Sequence, residues 1–473
     1  MGVQMRGLSG AGAIMAFLAA SSSVQADVVI STGATSNVIC ASGICTPTSA
    51  NAVLNVGDLQ TLLASGNVKL AAAGEPVDVD ITAPLSWVST NTLTLDSYHS
   101  INVQQAVAIT GGGGLAVITN DGGSGGVFSF APASNVAIWS LSSSLTINGI
   151  AYTLVDDIAT LASDVAANPG GSYALAGNYN AAPDGTYPAA PVNTTFAGNF
   201  QGLGNTISNL TIENKERNAR VGLFSATTSN ATISNIVLLN IAISESTNGA
   251  LVGSVVGESG GALFGDHAGG AISGLQGSAI GGLVGDNEGT ILNSSSSTST
   301  MSLSGTSIGG LVGLNNGGTI NGCFASGGTS AKKDHVTAGG LVGEVIDGNI
   351  SNSYATGSVL DKGDSGIGGL VGFFQNTAIS TSYSTGAVTG NSSGDVGGFI
   401  GVLSTGAVSD DYWNKTTSKD KDGVGRSKKT HGITGLTSSQ LQASLPTGFD
   451  PTIWAQSPSI NNGFPYLIAN PPR

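Results

Sequence analysis

The sequence predicts an all-β protein, a parallel β-helix solenoid of ~29-residue glycine-rich repeats with one short decorating helix and a C-terminal cap. Three observations carry this. The pentapeptide Gly-Gly-Leu-Val-Gly starts at Gly281, Gly309, Gly339 and Gly368, and a variant, Gly-Gly-Phe-Ile-Gly, starts at Gly397. Around it, fixed columns recur. A β-branched residue returns ten or eleven positions on (Ile291, Ile320, Ile350, Ile379, Val408), and an aromatic fifteen positions on (Phe324, Tyr354, Tyr383, Tyr412). Composition is the third: 72 of 473 residues are glycine, 40% are apolar and only 9% are charged. That is too apolar and too poor in charge for a disordered chain. A single ~29-residue unit cannot bury its own apolar face, whereas units stacked in register can. Propeller blades need about 40 residues or more, so the step is too short for them.

Taken in order, residues 1–26 read as a secretory signal peptide. Arg6 supplies the positive start, Ala11 to Ala20 a short apolar run, and Val24-Gln25-Ala26 the small residues of a cleavage site. Ten apolar residues are too few to cross a ~30 Å hydrocarbon core, and no later stretch is long enough, so no membrane span is expected. Residues 27–76 form an N-terminal cap region, with a short helix expected over 58–65. Cys40 and Cys45 lie there, spaced to close a small disulfide loop, which export permits. Cys323 occupies a repeat position otherwise held by Ser353 and Ser382 and reads as a buried small residue.

Residues 77–148 alternate apolar and polar in short runs broken by glycines, and read as irregular coils. Residues 149–220 form a helix-containing lead-in. Its helix spans 157–168, capped by Asp156 or Asp157, with Ile158, Leu161 and Val165 on one face. Residues 221–412 are the regular repeats. Residues 413–473 lose the period, turn polar and cationic, and read as a C-terminal cap, because an uncovered last coil would template aggregation.

The units Gly-Gly-Leu-Val-Gly, a turn, Ile, then Asn352 to Gly357 (Asn-Ser-Tyr-Ala-Thr-Gly) resemble the GLUG repeat of filamentous-haemagglutinin-like exported bacterial adhesins. The lead-in from Ser144 and the ending from Asp410 through Leu467 are similar to segments that flank such arrays, so the resemblance covers roughly 77–468. It implies a right-handed coil, secretion or surface display, and an adhesin-like role. Two departures stand against a full match: Asn168-Pro169-Gly170 is the nearest approach to the Asn-Pro-Asn motifs of the secretion domain, and no run of amphipathic barrel strands follows the repeats.

Enzyme signatures are weak. The pattern Gly-x-Ser-x-Gly occurs four times, none followed by a helix pattern. A polysaccharide-cleaving solenoid needs paired carboxylates; Asp410-Asp411, beside Tyr412 and Trp413, is the most interesting pair. The four histidines are scattered, so no metal site or cofactor is expected. With a net charge of −14, few cations are available to displace phosphate counterions, which argues against nucleic-acid binding. The function expected is therefore a non-enzymatic adhesin-type surface or secreted protein. Its partners would be surface glycans or other cell-surface molecules, with an outer-membrane secretion partner. A self-associating matrix or envelope protein is the alternative, and a β-helical enzyme the third. Phe324, Tyr354, Tyr383 and Tyr412 have two readings: a ladder that stiffens the coils, or an outward strip on which a ligand stacks.

Overall fold

The computed structural model describes residues 27–72, 77–276, 279–304, 307–332, 336–362, 366–391, 395–419, 422–427 and 432–473. The signal-peptide reading of 1–26 falls outside them. The fold is a parallel β-solenoid. In its first part, strands Val79–Ile81, Leu85–Trp87 and Leu93–Ser97 make one coil, and Ile101–Val103, Val107–Ile109 and Leu115–Ile118 make the next. Each strand lies parallel to its counterpart: Val79 beside Ile101, Leu85 beside Val107, Leu93 beside Leu115. Alternation buries two side chains in each three-residue strand, which is why Val, Ile and Leu dominate these positions.

The N-terminal end is closed by a hairpin, Val38–Ala41 with Ile44–Pro47, and by helix α1 (Val56–Ser65). Asn55 caps α1 by accepting from the amides of Gly57 and Asp58, and Leu59 and Leu63 point into the coil. The helix starts two residues earlier than its apolar pattern suggested, because the cap sets the start.

Chain direction reverses once within the solenoid. Strand Leu145–Ile147 pairs antiparallel with Ile150–Val155 across a two-residue loop, Asn148-Gly149, with φ of 49° and 79°. Both residues sit in the left-handed region that a tight hairpin requires. Beyond it strands again run parallel to one another, and one sheet of 16 strands continues through the junction. Across the next pair, Leu154 lies beside Ala174 and Val155 beside Leu175. Leu154 and Ala174 belong to the first apolar core; Val155 and Leu175 belong to the second. Adjacent residues of a strand face opposite sides, so the two cores lie on opposite faces of the shared sheet. Reversed strands with the interior on the other face leave the hand of the coil unchanged. Asn205 ties the junction, donating to the carbonyls of Val136 and Leu175 at 2.8 and 2.9 Å.

Helix α2 (Ile158–Ala167) follows, capped by Asp157, whose carboxylate accepts from Thr160. It contributes Ile158, Leu161 and Val165 to the second core, so the decorating helix also closes the end of that core.

The regular repeats show what the pentapeptide does. Gly309 ends strand Ser307–Gly309, and Val312 opens Val312–Asn316. A Cβ on Gly309 would sit 2.0 Å from the carbonyl oxygen of Val312. One on Gly313 would sit 2.5 Å from the backbone nitrogen of Ile280, one coil back. The two arms of this arch therefore pack backbone against backbone. Leu311 and Val312 are fully buried between these glycines. The Ile column stacks in register, Ile291 beside Ile320, Ile350 and Ile379, and fills the interior.

Candidate functional site

The aromatic column forms on the outer side of the coil. Phe324, Tyr354, Tyr383 and Tyr412 are direct neighbours on successive strands. Phe324 and Tyr354 stack with ring centroids 4.9 Å apart, and Tyr354 and Tyr383 at 5.0 Å, close to the inter-strand spacing. Tyr412 turns instead to meet Phe449 edge-on at 5.7 Å.

All four rings are buried, because the C-terminal segment folds back over them. Trp454 lies against Tyr354 and Tyr383, and Leu441, Phe449 and Leu467 complete the layer. Polar bonds fix it. Tyr412 donates to the Thr447 carbonyl at 2.8 Å, and Tyr383 to the Pro465 carbonyl at 2.5 Å. Asn470 donates to the carbonyls of Ser294 and Gly322 at 3.1 and 3.0 Å. Residues expected to cap the last coil thus also run back along its flank and cover most of the column, leaving Phe324 and Tyr354 at the wall of a small cavity of about 120 Å³ that Asn461 and Arg473 share. Burial raises the phenol pKa values of Tyr354, Tyr383 and Tyr412, so all three stay protonated.

A polar ladder runs beside the Ile column. The amide of Ile236 donates to Asp266, that of Asp266 to Ser294, that of Cys323 to Ser353, that of Ser353 to Ser382, and that of Ser382 to Asp411. Each side chain accepts from the coil before it. Cys323 occupies this ladder, fully buried, with burial pushing its thiol up to about 12, so it is an inert member of the wall. Asp411 is fully buried too, and accepts from the amides of Ser382 and Ser409. Asp410 is exposed, in the left-handed region at φ 55°. Of the two, only Asp410 is open to solvent, whereas Asp411 is enclosed in the wall with both oxygens accepting backbone amides.

Cys40 and Cys45 face each other across the N-terminal hairpin and are joined by a disulfide. Among the described residues, no group of three or more His, Cys, Asp or Glu is placed to share a metal ion, and no helix is long and apolar enough to cross a membrane.

A groove on another part of the outer surface escaped the sequence reading. It crosses six neighbouring strands: Thr211–Asn214, Val237–Glu245, His267–Gln276, Ser299–Ser304, Thr329–Ala331 and Val359–Asp361. It holds about 600 Å³, within the range of ligand sites. Two outward rows line it. Thr211, Ala242, Ala271 and Ser299 stand in register in one. Glu213, Ser244, Ser273, Met301, Ser330 and Leu360 stand in the other. Between them Ile212, Ile243 and Ile272 point into the core. Glu213 is the one ionisable side chain among the lining residues. Small residues at these positions look like filler in a Ser- and Gly-rich repeat, so no sequence signal marks the groove.

The family model of the GLUG motif matches residues 334–360. No curated protein matches the chain. Among solved structures, an IgA1 protease is similar at 22% identity and a TM-score of 0.43, over 61% of this chain. The match spans 24% of the length of that structure.

Proposed function

We propose that the protein is exported, with the help of an outer-membrane secretion partner, and acts at the cell surface as a non-enzymatic attachment protein of adhesin type. The observation that carries this reading is the outward face of the second solenoid. It presents rows of hydroxyl and small side chains, repeated coil after coil on a rigid frame, with a single carboxylate along its groove. Such a face favours repeated weak contacts, whose combined strength exceeds that of any one; the carboxylates that do stand side by side in this solenoid, Glu258 and Asp286, lie on another sheet, outside the groove. The GLUG match and the secretory reading of residues 1–26 agree with a surface location.

The self-associating matrix reading has one observation of its own. The edge strand Val38–Ala41 pairs only with Ile44–Pro47, carries no charge and leaves Ile39 63% exposed, and Ile44 on its partner strand is 49% exposed. Unguarded edges of this kind invite pairing with another chain.

Competition separates the two. The soluble chain 27–473 is expected to block attachment of the producing cells to a foreign surface in a dose-dependent way, and to stay monodisperse in light scattering. Failure to compete, with particle mass rising with concentration, would leave the matrix reading in its place.

A further inference from the structure

We propose that the groove is a binding site for an uncharged, extended glycan lying along the rod axis, across the strands. As the place where attachment occurs, this rests on the adhesin reading; as a binding site, it stands on the groove alone.

Four observations select the occupant. First, charge. The chain carries −14 overall, and the groove lining has no cation and one anion, Glu213, at its end. The lining itself offers a polyanion no counter-charge and the molecule's net charge would repel one, although two exposed lysines, Lys332 and Lys362, stand just past the ends of two of its strands. Second, backbone. The strands Val237–Glu245, His267–Gln276 and Ser299–Ser304 each have a hydrogen-bonded neighbour on both sides. No open edge remains for a peptide to add as a further strand. Third, shape. The site is long and shallow, crossing five inter-strand spacings, or about 24 Å. Its floor is flattened by Ala242, Ala271 and Gly328, and Met301 and Leu360 stand along it. Fourth, chemistry. Hydroxyls of Thr211, Ser244, Ser273, Ser299 and Ser330 recur at the strand spacing beside that apolar floor. A sugar chain matches this: apolar C–H faces for the floor, hydroxyls for the serines, and no net charge. The C-terminal segment that covers the aromatic column contributes no residue to the lining, so the groove is open while that segment is in place.

The test is affinity electrophoresis of chain 27–473 through gels containing dextran, mannan or a linear β-glucan, with polygalacturonate as the anionic comparator. At least one neutral polymer should retard the protein, and polygalacturonate should not. Ala271→Arg, which places a long charged side chain on the floor, should weaken retardation at least tenfold. The double change Ser244→Ala with Ser273→Ala, which leaves the floor clear, should weaken it severalfold. Ala378→Arg, exposed on strand Thr377–Ser380 away from the groove, should match the unaltered chain. Retardation by none of the neutral polymers would overturn the proposal. So would undiminished retardation of both groove variants, or a preference for polygalacturonate. If Ala271→Arg loses polymer binding yet still blocks cell attachment, the site stands and attachment runs through another surface.

Discussion

Ser294, Ser353 and Ser382 occupy one position of the coil, and each accepts a backbone N–H from the coil before it. A hydroxyl suits the place because it is small and its oxygen satisfies a buried donor. Asp411 takes the same position in the last regular coil, where the cost of burying a charge lifts its carboxyl to about 8, with Asp410 adding to the rise. The folded value lies above the ordinary 3.8, so the folded chain holds this proton more tightly than the unfolded chain does. The stability it contributes is complete below about pH 4 and is lost as pH rises through about 8. Burial also raises Asp266, and raises Asp286 to about 7, which adds to the downward slope, while buried neutral His267 opposes it below about pH 6.5. Asp411→Asn should remove one share of that slope, locally. Hydrogen exchange in Thr377–Ser384 and Asp411–Asn414 should be faster at pH 9 than at pH 5 after correction for intrinsic rates. In the variant the two pH values should agree more closely. Equal pH dependence in both chains would show that Asp411 is already ionised in the wall.

The arch built by Gly-Gly-Leu-Val-Gly is the element in which sequence and structure correspond most closely. From Gly281 to Gly397 each coil repeats the same close approach of two backbones, so the same three glycines return and the period is visible without coordinates; the two coils before it carry Ser254 and Ser225 at one of the three places. The Ile and aromatic columns were legible for the same reason, since stacking in register puts equal offsets side by side. The hairpin at Asn148-Gly149 was not. Its two residues carry an ordinary turn signal, and nothing local tells whether a turn continues a coil or reverses it. The steric reading of the arch gives a sharp expectation. Gly313→Ala would set a methyl 2.5 Å from the backbone nitrogen of Ile280, where no flexible side chain can yield. It should destabilise by about 1–3 kcal/mol, the usual cost of overpacking, or more. Gly170→Ala, with nothing within 4 Å of the new methyl, should change stability by no more than about 0.5 kcal/mol. Urea titration of both variants checks this, and equal midpoints would show that the two arms can part at little cost.

At the scale of the whole molecule, a solenoid has a structural weakness: each coil touches only its neighbours, so it can fray from an end. The C-terminal segment counters this. It bonds Tyr412 through Thr447, Tyr383 through Pro465, and the Ser294 and Gly322 carbonyls through Asn470, linking coils that do not touch one another. Its course was illegible in the sequence because it has no period of its own, and because its apolar partners, Phe324 to Tyr412, read equally well as an outward strip. In the structure Phe449 and Trp454 pack on the face of the column that a ligand strip would present. The segment should therefore act as a clasp that makes the terminal coils open together. Trp454→Ala in the full chain removes the largest side chain of the cover, an apolar loss of about 3–5 kcal/mol, and Asn470→Ala releases its far end. In native-state hydrogen exchange of the unaltered chain, amides from Thr319 to Asn414 should open with nearly one free energy. In the double variant protection should become graded, lowest at Asp411–Asn414 and rising toward Thr319–Asn321. Strands Val79–Ile81 to Leu115–Ile118, beyond the reversal, should keep their protection; Phe128–Phe130, whose residues share a small cavity with Asn470 and Arg473, is the one place in that part where a local loss is expected. A uniform drop across the whole molecule would mean that the segment stabilises the fold globally. No change would mean that the stacked coils already hold together without it.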